Sequence, residues 1–202
     1  MLILSRKSIT LIELLIALSL LAVMVLSINS IGVFSRYHSV SADRRAKIQN
    51  ELSLSLEHLT KHLSTATGNE TLYGDDSAVY ISPNSTSTTV LSVFTDANFD
   101  GLADSTNDYW IGYNFNSSTH QLSYCGQCAS ASCGSCSVTT EYLSEHITAF
   151  SAEKKLSAGE NYIEVALSAC YDPAQTHASC GSADNPDISM STSVGLPAVA
   201  IN

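Results

Sequence analysis

Residues 8–34 are apolar almost without interruption, with Glu13 the one charged side chain among them and Arg6 and Lys7 just ahead. As a helix, residues 9–34 would be about 39 Å long, enough to cross a bilayer with some tilt. No small-residue cleavage site follows, so this stretch is expected to stay in the mature protein, unlike a secretory signal peptide. From Arg36 the pattern changes. Ile48, Leu52, Leu56, Leu59 and Leu63 recur at spacings of four, four, three and four, which lines one face of an amphipathic helix meant to cover a sheet. No proline occurs before Pro83, and residues 64–69 supply a stop with Gly68 as the residue after the last turn, so one helix is predicted from about Ile9 to Thr67. Ser27, Asn29, Ser30 and Gly32 mark where its hydrogen bonding is expected to loosen during assembly.

Beyond that helix the chain reads as strands separated by polar turns. Strands are predicted at 78–82, 88–94, 108–115, 121–125, 138–143, 146–152, 162–169 and 188–194, with a hairpin turn at 116–119. The fold class is therefore α+β: a long N-terminal helix, half membrane-spanning and half amphipathic, on an antiparallel β head with disulfide-rich loops. Composition adds a compartment and a charge. After Lys61 the only Lys or Arg residues are Lys154 and Lys155, against 15 acidic ones. Such a head repels nucleic acid and anionic membranes and attracts divalent cations. The six cysteines all follow residue 124, across the membrane from Arg6 and Lys7 by the positive-inside rule. An even count in an exported head favours disulfides.

A carboxylate in a spanning helix costs roughly 2.5–3.5 kcal/mol at mid-depth, so Glu13 needs a reason. Were the chain cut between Ser8 and Ile9, the new α-amine would be charged, and Glu13 could neutralise that charge on a neighbouring copy. The bland alternative is a snorkelling or protonated carboxylate. Ser8-Ile9-Thr10-Leu11-Ile12-Glu13-Leu14-Leu15-Ile16-Ala17-Leu18 resembles the class III signal of type IV prepilins and type II secretion pseudopilins. In that family a basic leader ends in Gly, cleavage precedes Phe or Met, the new terminus is N-methylated, and Glu is its fifth residue. Here Ser8 stands where Gly is usual and Ile9 where Phe is usual. Residues 140–152, 162–167 and the last strand are similar to the heads of large minor pilins, the J-type pseudopilins and W-type minor pilins.

The resemblance implies a leader at 1–8, a transmembrane and filament-core helix at 9–34, an amphipathic helix at 35–67 and a β-rich head at 68–202. It implies cleavage and methylation at Ser8 and Ile9, and assembly through Glu13. Its implied partners are other pilin subunits, a prepilin peptidase, an inner-membrane assembly platform and, before assembly, membrane lipid. The head would sit in the periplasm and later in a pilus or pseudopilus.

Two loops carry candidate chemistry. Asp96, Asn98, Asp100, the Leu102 carbonyl and Asp104 fall at positions 1, 3, 5, 7 and 9 of an EF-hand-type loop, with Gly101 at position 6. Asn107 replaces the usual Glu at position 12 and Asp108 follows it, so a structural calcium ion is expected, with an acidic loop rich in Asx turns as the alternative. Cys125, Cys128, Cys133 and Cys136 form two Cys-x-x-Cys pairs only four residues apart. Disulfides are preferred to zinc, because common zinc ribbons separate their pairs by a dozen or more residues. Nested pairing would pin a hairpin-like loop, but the sequence does not choose the connectivity. Cys170 and Cys180 form the natural third bond.

His58 and His62 are four apart but are expected on a solvated flank, because no third ligand completes a metal site. His120, His146 and His177 are expected to be surface or loop residues. Asn69, Asn84 and Asn116 begin glycosylation-type triplets that arise by chance in so Ser/Thr-rich a chain. No nucleophile–base pair and no phosphate-binding loop is visible, so no enzyme is expected, and the resemblance implies a filament subunit. The rivals are a pilin-derived adhesin and a single-pass anchored enzyme.

Overall fold

A computed structural model describes residues 10–67, 78–82, 88–98, 107–157, 160–174 and 179–196. The chain divides into two compact units, Met1–Asp43 and Arg44–Asn202. One helix, α1 (Leu11–Leu63), runs through the boundary between them. Gly32 does not interrupt it. Its predicted end near Thr67 comes earlier, and the reason is local. The Ser64 and Thr65 hydroxyls donate to the carbonyls of Lys61 and His62 at 2.9 and 3.0 Å. The chain then turns to run beside a strand, with the Thr67 N–H donating to the Phe94 carbonyl at 3.0 Å.

In the second unit, β1 (Val79–Ile81), β2 (Thr88–Thr95), β3 (Tyr109–Asn116), β4 (Gln121–Cys128) and β5 (Thr140–Ser144) form one antiparallel sheet in chain order. A second sheet joins β6 (Ile147–Ser157), β7 (Glu160–Cys170) and β8 (Asp187–Gly195), also antiparallel. The fold is α+β, with the helix packed on antiparallel sheets. All five residues of the predicted stripe, Ile48, Leu52, Leu56, Leu59 and Leu63, are buried. They share one core with Leu91, Val93, Ile111, Tyr113 and Leu122 of the first sheet and Ile147, Ile163, Val165 and Leu167 of the second. Removing a leucine side chain of this kind from water is worth about 1.5–3 kcal/mol.

The first sheet is covered on both faces. Leu91 pairs with Tyr113 and Val93 with Ile111 on the helix side, so by alternation Ser92–Gly112 and Phe94–Trp110 face the other way. That outer face carries a smaller core of Phe94, Trp110, Cys125, Cys128 and Cys133.

Candidate functional site

The described chain starts at Thr10, so Ser8 and Ile9 lie outside it. At Thr10 the helix opens on a reciprocal cap. The Glu13 N–H donates to the Thr10 hydroxyl at 3.4 Å, and the Thr10 N–H donates to a Glu13 carboxylate oxygen at 3.4 Å. This is the capping-box arrangement, which satisfies two backbone donors that an α-helix leaves open. Thr10-Leu11-Ile12-Glu13 carries its signature in the sequence, a signal the reading of Glu13 as a counter-charge passed over.

Downstream, Leu11, Ile12, Ile28, Val33 and Phe34 are each more than 65% exposed. This is the one described helix long and apolar enough to cross a membrane. Its polar side chains turn back on their own backbone. Ser27 donates to the Val23 carbonyl at 2.8 Å, Asn29 to Val25 at 2.9 Å, and Ser30 to Leu26 at 2.9 Å. The helix is continuous here, and these groups need no water.

Asp96 and Asn98 leave β2 while Asn107 and Asp108 enter β3; Asp100, Leu102 and Asp104 lie outside the described residues. Thr95 and Tyr109 pair at the base of this connection. Asp108 is buried, and its carboxylate accepts the Ala97 N–H at 2.9 Å, tying the two stems together.

The cysteines pair in nested fashion: Cys125 with Cys136, Cys128 with Cys133, and Cys170 with Cys180 outside the nest. A bulge makes the nest possible. Trp110 pairs with Cys128 but Gly112 pairs with Cys125, so β4 spends one residue more than β3. Three residues apart on a regular strand, Cys125 and Cys128 would point to opposite faces, and the extra residue turns both onto the outer face. Gly112 lies beneath them. A Cβ there would meet the Cys133 sulfur at 2.3 Å and the Cys128 sulfur at 2.8 Å, so only glycine fits. The third disulfide is framed by Asn185, which is buried. It accepts the Asp172 N–H at 2.8 Å and donates to the Asp172 carbonyl at 2.9 Å.

His58 and His62 are not on a solvated flank; both are partly buried against the first sheet. The Tyr113 hydroxyl lies 3.2 Å from the His58 carbonyl and 2.9 Å from His58 Nδ1. The Tyr124 ring stacks on His62 with centroids 5.4 Å apart. Burial holds the His62 imidazole down at about 4, helped by the charges of His58 and Lys61. Burial also lowers His58, Lys61 adds to that, and Glu141 works against it. The Tyr113 and Tyr124 hydroxyls are pushed up, chiefly by burial.

His146 pairs with Glu51 of the helix at 3.0 Å and stacks on Tyr171, over which the Arg44 guanidinium also sits. His120 has φ 58° at the end of the β3–β4 turn, and His177 lies outside the described residues. Asn69 and Asn84 do also, whereas Asn116 uses its side-chain oxygen to accept the Ser118 N–H at 2.9 Å, an Asx turn.

No protein-family model and no curated protein matches the chain. Among solved structures it is similar to a type IV-like pilin from Thermus thermophilus, at 16% identity and a TM-score of 0.46, over 76% of this chain and 98% of that one.

Proposed function

We propose that the chain is a non-enzymatic structural subunit of a type IV pilus or type II secretion pseudopilus, of the large minor pilin or pseudopilin kind. A prepilin peptidase cuts between Ser8 and Ile9, and the freed amine is methylated. The subunit waits in the inner membrane with its head in the periplasm. An assembly platform then packs its helix against those of other subunits. The supporting observation is the first unit itself. The leader resemblance falls on an apolar helix whose large apolar side chains are exposed among the described residues, and whose inner polar groups are already satisfied. A soluble monomer does not leave so large an apolar surface open. The connection 96–108 is read as a structural calcium loop, on the strength of its ligand spacing and of the stem that Asp108 closes.

Glu13 has two separable duties, capping its own helix and supplying charge to a neighbour. Glu13→Gln keeps the cap, since glutamine serves equally at that position, and removes the charge. Co-expressed with the unaltered chain, Glu13→Gln is expected to reach the membrane in normal amount but to be depleted from sheared filaments. Equal incorporation of the two would overturn the proposal.

A further inference from the structure

The four clustered sulfurs do more than cross-link a loop. Cys125, Cys128 and Cys133 are all buried, and their Sγ atoms lie within 4.8 Å of one another, those of Cys128 and Cys133 being bonded. Cys136 joins them through its bond to Cys125. Zinc held by four thiolates at about 2.3 Å needs its sulfurs roughly 3.8 Å apart; the two bonded pairs would have to part on reduction, while the two disulfides already lie side by side. The spacing argument against zinc rested on the dozen or more residues that separate the pairs of common zinc ribbons. The β4 bulge removes that objection, because it turns Cys125 and Cys128 to one side and lets the following turn bring Cys133 and Cys136 over them.

The setting also suits a metal. Phe94 and Trp110 wall the inner side, Gly112 leaves the floor bare, and the overlying Ala129, Ser130, Ser132, Gly134 and Ser135 are exposed.

We propose that the reduced chain binds one zinc ion through Cys125, Cys128, Cys133 and Cys136, so that this loop has two mutually exclusive forms, disulfide-bonded and zinc-bound. A phosphine reductant converts each disulfide to two thiols and becomes a phosphine oxide with oxygen taken from water. Zinc then displaces the four thiol protons. The inference does not rest on the filament reading and stands or falls without it.

The test uses the full chain in detergent, reduced without oxygen and freed of phosphine. It is titrated with zinc against a competing chelator, and with cobalt as a coloured stand-in. The expected result is one ion per chain, thiolate-to-cobalt absorption, and zinc-dependent protection of four thiols from alkylation while the exposed Cys180 still reacts. Cys136→Ser should weaken binding on the order of 100-fold, at least as much as loss of an outer-shell partner does. Cys136→His, which keeps a ligand, should restore most of it. Cys170→Ser with Cys180→Ser should change nothing. The proposal is overturned if the reduced chain takes up no stoichiometric ion, if Cys136→Ser binds as well as the parent, or if the Cys170 and Cys180 replacements abolish binding.

Discussion

Adding one methyl group at Gly112 tests the geometry of the disulfide nest. The new Cβ would lie 2.3 Å from the Cys133 sulfur and 2.8 Å from both the Cys128 sulfur and the Cys133 Cβ. None of these is the free end of a flexible side chain; all belong to a cross-link anchored at both ends. Overpacking costs about 1–3 kcal/mol. Three such contacts put Gly112→Ala near the top of that range. The Cys128–Cys133 bond closes a separation of five residues and is itself worth about 2 kcal/mol in the chain-entropy model. With both cysteines changed to alanine, the loop can lift away from the sheet, and the cost of Gly112→Ala should fall below about 1 kcal/mol. The coupling in the double-mutant cycle is then about 2 kcal/mol. Trp110, the chain's single tryptophan, is buried in the same small core, so guanidinium unfolding of the full chain in detergent reads the effect by fluorescence. If Gly112→Ala costs the same with and without the disulfide, the close approach described here is wrong.

Two other outcomes follow from the head. Calcium at 100 times its dissociation constant should raise stability by about 2.7 kcal/mol, and Asp96→Ala should remove that gain; an unchanged melting temperature with calcium would end the calcium reading. The second concerns pH. The unfolded chain protonates His62 as pH falls through its ordinary value of 6.5, whereas the folded chain resists until about 4. Stability should therefore be flat with respect to this group above 6.5 and decline between about 6.5 and 4. His62→Gln should flatten the decline in denaturation series across that window. An identical slope in the variant would contradict the burial of His62 beneath Tyr124.

Much of the architecture was written in local patterns. The Leu52–Leu59–Leu63 face needed only helical periodicity, and all of it is buried. The polar turns between apolar and β-branched runs located the strands to within about five residues. What the patterns missed was set by contacts distant in sequence. β4 continues to Cys128 through Gly126, a residue that reads as a strand end. Which cysteine meets which depends on a bulge that only the pairing with β3 creates. His58 and His62 look like a polar flank until Tyr113 and Tyr124, more than 50 residues on, cover them. The Thr10–Glu13 cap was legible in the sequence, but the search for an intermolecular role for Glu13 left it unread.

Mass spectrometry of the chain's N-terminus, recovered from membranes of cells that possess a prepilin peptidase, bears most directly on the filament reading. A mature chain beginning at N-methylated Ile9 is the predicted result. A chain that retains Met1 through Ser8 while its filaments form normally would contradict it.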